Sequence, residues 1–152
     1  MSDLITPALV RLDADLGSDR DAVVHGLAAI LGEAGRAHDV DRVSADALAR
    51  EGRSATGLPG GLALPHCRTA GVEEPTVAFA RLSAPVSFGA PDGPADLVIL
   101  ITAPTGGDAT HLQLLTKLAR ALVKPAFTDA LREAASAEEA ADQISAVLGP
   151  AR

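Results

Sequence analysis

The 152-residue chain has a single cysteine, no tryptophan, no tyrosine and three phenylalanines. One cysteine closes no intramolecular disulfide, and no N-terminal stretch joins a basic start to an apolar segment, so a reducing, cytoplasmic setting is expected. Positive charge is also scarce: 13 Lys and Arg stand against 20 Asp and Glu, a net charge of −7. That balance repels a phosphate backbone, and so few aromatic rings leave bases nothing to stack on, which excludes nucleic acid as a partner. The most apolar run, Leu97 to Ile101, is bounded by Asp96 and Thr102 and is far too short to cross a bilayer. There is no internal repeat, low-complexity tract or linker, so residues 1–152 are expected to form one domain that buries about two thirds of its unfolded surface. No G-x-S-x-G elbow, G-K-[ST] phosphate loop or H-E-x-x-H pair is present, and one cysteine beside four scattered histidines lacks structural-zinc spacing. No metal or cofactor is expected.

What is there reads as alternating helix and strand. After a short strand at Ala8 to Leu12, Ser18 stands as an N-cap with Asp21 three residues on, and Val23, Val24, Leu27, Ala28, Ile30 and Leu31 recur at helical spacing up to a stop at Gly35. A shorter helix follows Ser44 and ends near Gly52, carrying Arg50 and Glu51 in its last turn. From Gly57, "GLPGGLALP" is turn chemistry feeding an extended segment, because Pro65 restricts Leu64 to the β region. "PTVAFARL" and "ADLVILITAP" read as strands, the second apolar enough to be covered on both faces. Thr110 with Gln113 has the form of a capping box, followed by a stripe of Leu112, Leu115, Leu118, Ala119 and Leu122. "AFTDALREAA" and, after Ser136, "AEEAADQISAVL" add two helices before Gly149-Pro150. The pattern predicts an α/β fold, a single domain with a mixed β-sheet flanked by helices on both faces.

The four histidines differ in their mounts. His25 lies off the apolar stripe of its helix and His38 in a polar connection, so both are read as solvent-facing. His66 ends the extended segment of "GGLALPHCR", behind a proline of fixed φ and among glycines that let a backbone approach a ligand. A strand-end imidazole of this kind serves structure or chemistry, and the residues alone leave both open. His111 falls in the first turn of a helix, where free N–H groups and the dipole favour an anion. Arg50, Arg53 and Arg68 are the nearby cations, and chain proximity does not say which reaches His66. An Arg about 4 Å from a unit charge contributes roughly 4 kcal/mol at an effective dielectric near 20. A helix N-terminus adds about 0.3–2 kcal/mol, so the arginine dominates. Arg53, just past its helix, and Arg120 read as solvated charges. A Cys67–His66 dyad is poor because neighbours in an extended chain face opposite ways, which leaves Cys67 a small half-buried residue.

Taken together, "ARE" at 49–51, "GLALPH" at 61–66, "PTVAFARL" at 75–82, "GAPDGPADLVILITAP" at 89–104 and "HLQLLTKLARAL" at 111–122 resemble the type 2 EIIA domain of the bacterial phosphoenolpyruvate-dependent sugar phosphotransferase system (PTS), the fructose and mannitol class. The resemblance implies a phosphocarrier whose Pro-His histidine, matched by His66, accepts a phosphoryl group from HPr and passes it to a cysteine of the EIIB domain of a sugar permease. The family's second histidine matches His111 and its active-site arginine matches Arg50. It implies contact with the membrane only through the permease, no cofactor, and a mixed sheet flanked by helices. A site that gains a phosphate's charge should be short of carboxylates, so Glu51 is expected to point away from His66. Docking of two proteins calls for an exposed apolar rim, for which Leu58, Leu62 and Leu112 are the candidates. The wording of residues 88–104 resembles the fructose branch. A regulatory nitrogen-branch paralogue is the alternative, and a small-molecule module would gain if His66 and His111 were remote from one another.

Overall fold

The computed structural model describes residues 3–106 and 110–149, with the side chain of Thr110 outside that description, and with it the capping role expected of Thr110. A 3-10 turn, Pro7–Leu9, leads into β1 (Val10–Ala14), followed by α1 (Arg20–Glu33) and α2 (Val40–Arg53). Three short strands come next: β2 (Gly57–Leu58), β3 (Leu62–Ala63) and β4 (His66–Thr69). The long strands β5 (Thr76–Val86) and β6 (Ala95–Pro104) precede α3 (Thr110–Leu122), α4 (Pro125–Glu133) and α5 (Ala137–Leu148).

The most apolar run of the sequence, now β6, lies within the sheet β1-β5-β6-β3-β2, with β4 also pairing β6. β5 and β6 are antiparallel, β1 runs parallel to β5, and β3 and β4 run parallel to β6, which makes the sheet mixed. From Leu97 to Ala103 every residue of β6 is buried, so side chains on both alternations are covered. The cover comes from two helix groups, α1 with α2 packed at β5 and β4, and α3 with α5 packed at β6 and β1, with α4 against α3 and α5. This is the α/β arrangement with helices on both faces that the pattern predicted.

Several boundaries differ from the sequence reading for local reasons. β1 begins at Val10 because Pro7 starts a 3-10 turn whose last residue, Leu9, is buried. The cap of α1 is Asp19, whose carboxylate accepts from the Ala22 N–H at 2.8 Å, so Ser18 stands one residue outside. All six apolar residues expected to face inward from α1 do so, and Gly35 follows the helix at φ +75°. α2 starts at Val40, capped by Asp39, and Ser44 is buried inside it with its hydroxyl turned back on the Asp41 carbonyl. α3 is rotated from the expected stripe: His111, Leu114, Leu118, Ala121 and Leu122 are buried, whereas Leu112 and Ala119 face out. That 3–4–3 spacing is as good a helical stripe as the one read from the sequence, and it carries His111 inward.

Two arginines fasten the edges. Arg81 donates to the carbonyls of Leu131, Arg132 and Ala134, satisfying acceptors that the end of α4 leaves free. Arg132 pairs with Asp96 at 2.8 Å and donates to the Gly60 carbonyl, pinning the β2–β3 hairpin. Gly61 in that hairpin has φ +79°, and a Cβ there would lie 2.8 Å from Asp96 and 2.9 Å from Arg132. The glycine serves packing at this turn, where the sequence reading looked for approach to a ligand.

Candidate functional site

β3 and β4 lie on one line along β6, broken at Leu64-Pro65. Proline has no N–H to give the ladder, but its carbonyl still accepts from Ile101 N–H at 3.0 Å, so the line resumes in register with His66 opposite Ile101. Leu64 turns out of the ladder: its N–H donates to the Thr56 carbonyl at 3.2 Å and its own carbonyl meets His66 Nδ1 at 2.8 Å. A carbonyl only accepts, so Nδ1 carries the proton and Nε2 holds the lone pair. Arg50 Nε donates to that Nε2 at 3.1 Å, and its Nη1 is anchored on the Ser54 carbonyl at 2.8 Å.

His111 reaches the same place by a different route. β6 runs on from Ile101 to Pro104, and α3 opens at Thr110 with the next residue on its buried face. The two imidazoles lie with ring centroids 5.4 Å apart, tilted by 48°. His111 is 8% exposed, and its buried Nδ1 has no hydrogen-bond partner among the described residues.

Burial holds His66 below the usual histidine value; the Leu64 carbonyl acts against this, Arg50 adds to it, Glu51 opposes it and Arg53 adds to it. His111 is pushed down to about 4, first by burial and then by His66, Arg68 and Arg50. Both rings are therefore neutral at pH 7 while cations surround them. Arg53 has an exposed side chain, as its reading as a solvated charge required, yet its charge acts on His66. Arg68, on β4, acts on His111.

The structure brings together three of the residues singled out in the sequence, His66, His111 and Arg50, and leaves His25 and His38 exposed elsewhere. Glu51 is 2% exposed; one oxygen accepts from Thr56 N–H at 2.8 Å and the other from Thr56 Oγ1 at 2.6 Å. Cys67 is fully buried, beyond the half-burial expected, with its thiol pushed up to about 12 by burial and by Asp46. Of the apolar rim residues, Leu112 is 58% exposed beside His111, Leu58 is half-buried, and Leu62 is core. Leu58 and Leu62 line a groove of about 570 Å³ with Leu122 and Val123, at the far end of α3 from His111. Sequence reasoning did not find the Leu64 carbonyl or Thr56, since a main-chain acceptor has no residue signature beyond the proline that aims it.

A neutral imidazole with its lone pair directed at an arginine, and a second imidazole beside it, has the chemistry to serve as a nucleophile for an anionic group. The family model described as "Phosphoenolpyruvate-dependent sugar phosphotransferase system, EIIA 2" matches residues 3–147. The chain belongs to this family, a phosphotransferase component. It is 38% identical over 117 residues to the "PTS system fructose-specific EIIA component" of Haloferax volcanii, covering 76% of each chain. To the "PTS system fructose-specific EIIABC component" of Bacillus subtilis it is 32% identical over 146 residues, which is 95% of this chain and 23% of that protein. Among solved structures, the "Nitrogen Regulatory Protein IIA-Ntr from Neisseria meningitidis" aligns with a TM-score of 0.82 and 31% identity over 96% of this chain and 97% of that one.

Proposed function

We propose that this protein is a phosphocarrier that takes a phosphoryl group from phospho-HPr onto His66 Nε2 and passes it to the cysteine of an EIIB domain, for uptake of fructose or a related sugar. One observation carries the reading: the Leu64 carbonyl holds the proton on Nδ1, so the lone pair of Nε2 is available and faces Arg50 and the neighbouring His111.

The step balances on these residues. The Nε2 lone pair attacks phosphorus in line, the donor's P–N bond breaks and its electron pair returns to the donor ring, and no proton moves at Nδ1. Arg50 Nε–H, which caps Nε2 beforehand, exchanges that nitrogen for a phosphoryl oxygen. His111, neutral, adds a hydrogen-bonding ring without adding charge. The phosphorylated ring keeps its Nδ1 proton and is formally cationic, so when a thiolate attacks phosphorus it departs as a neutral imidazole. The same hydrogen bond thus suits both acceptance and donation. Phosphoryl transfer asks for positioning and charge more than covalent chemistry, and this pair with one arginine supplies both.

In this reading residues 1–152 act as one EIIA domain in the cytoplasm and meet the membrane only through the permease. A second reading has a specific basis: the likeness to IIA-Ntr, at 31% identity over nearly the whole of both chains, favours a regulatory role signalled by phosphorylation state. The test is the intact mass after incubation with phosphoenolpyruvate, Enzyme I and HPr. Wild type is expected to gain one acid-labile phosphoryl group, His66→Ala none, and His111→Ala the same group more slowly. Wild type unmodified in the presence of charged HPr would overturn the reading. Transfer onward to a fructose-type EIIB separates transport from regulation.

A further inference from the structure

Glu51 is a costly residue where it stands. It is a carboxylate in the last turn of α2, the end where the helix dipole disfavours negative charge, and it is 2% exposed. Among the described residues it has no ion pair, and both of its oxygens are taken by a single residue, Thr56. The Thr56 carbonyl receives the Leu64 N–H, and the Leu64 carbonyl receives His66 Nδ1. A path of hydrogen bonds, joined through the main chain of Thr56 and of Leu64, therefore runs from the carboxylate to the imidazole. Beside it, Ser54, two residues before Thr56, anchors Arg50, so the same short loop after α2 serves both the nucleophile and its cation.

We propose that Glu51 is a positioning residue: by clamping Thr56 it fixes the Leu64 peptide, which selects the Nδ1–H tautomer of His66 and so makes Nε2 the attacking atom. Its consequence for phosphotransfer rests on the phosphocarrier reading above; its effect on the tautomer does not. The clamp works through hydrogen bonds and does not require charge. A glutamine can accept from Thr56 N–H with its oxygen and donate to Thr56 Oγ1 with its amide, because the hydroxyl both donates and accepts. An alanine can do neither, and an aspartate is one methylene too short to hold both bonds.

The experiment reads the ring nitrogens of His66 directly, by two-bond ¹H–¹⁵N correlation at pH 8 on wild type and on Glu51→Gln, Glu51→Asp and Glu51→Ala, beside the rate of phosphoryl acceptance from phospho-HPr. Wild type and Glu51→Gln are expected to show one tautomer, protonated at Nδ1. Glu51→Ala is expected to show exchange between both tautomers and a rate lower by roughly ten- to a hundredfold, the range that outer partners of a ligating imidazole carry elsewhere. Should the alanine variant not fold, Glu51→Asp decides, with an intermediate loss of the Nδ1–H form expected. A folded Glu51→Ala, or the Asp variant in its place, with the wild-type tautomer and rate overturns the proposal. So does a Glu51→Gln variant as impaired as Glu51→Ala, which would make charge and not the clamp responsible. If wild type takes up no phosphoryl group, the phosphocarrier reading fails, and the tautomer spectra still judge the clamp.

Discussion

Two pairs of histidines divide this molecule. His25 and His38 are exposed, one on the outer face of α1 and one after Gly35, while the rings of His66 and His111 lie 5.4 Å apart where the charges of Arg50, Arg53 and Arg68 act on them. All four are the same side chain; the difference lies in the mount. His66 follows a proline at a break in a strand, with a carbonyl turned onto one of its nitrogens, and His111 sits on the buried face of a first helical turn. Backbone geometry chooses the tautomer of His66 and burial lowers the proton affinity of both rings, the two properties that the proposed nucleophile needs.

Arg50 touches the second pair, at His66. Arg50→Gln removes the cation that meets Nε2, and the rate of phosphoryl acceptance is expected to fall by about 10²–10³, the usual loss of one preorganised donor. Quenched-flow transfer from phospho-HPr measures it. His111→Ala is expected to follow with a smaller loss, and His25→Ala and His38→Ala to leave the rate unchanged. If an exposed-histidine variant slows transfer as much as His111→Ala does, the division between the pairs is wrong.

Acid sharpens the same contrast. The His111 value falls from 6.5 in the unfolded chain to about 4 when folded, so the unfolded state binds more protons between those values. The stability that this ring permits at pH 7 is lost as pH falls from about 6.5 through 4. Urea unfolding at pH 7, 5 and 4 is expected to show a shallower loss in His111→Gln than in wild type. The smallest effect belongs to Cys67, the neighbour of His66: its buried thiol, raised to about 12, is expected to stay unmodified by a thiol reagent at pH 8 in the folded protein and to react fully in urea.

Much of this was legible in residues. The stripe of α1 was legible because Val23, Val24, Leu27, Ile30 and Leu31 recur at helical spacing between an acidic start and Gly35, and the unbroken run of β6 announces a strand covered on both faces. α3 was misread because it is rich in leucine and alanine on several faces, so two stripes fit and only the sheet beneath chooses between them. The start of α2 was missed because its buried positions are few and one is a serine. Proline-histidine marked His66 as rigidly mounted, and the resemblance to the EIIA family paired it with His111 and Arg50. The approach of the two rings comes from β4 pairing beside β6, a contact between distant segments that spacing does not encode. The path from Glu51 through Thr56 and Leu64 runs partly over main-chain atoms and is visible only in three dimensions.

In the proposed mechanism phosphorus bonds to Nε2 of His66 because Leu64 holds Nδ1 protonated. The direct test is ³¹P and ¹⁵N NMR of the ¹⁵N-histidine-labelled protein after loading from phospho-HPr, reading which ring nitrogen couples to phosphorus. Coupling at Nε2 of His66 is expected, with Nδ1 still bearing its proton. Phosphorus on Nδ1, or on any other histidine, would contradict it.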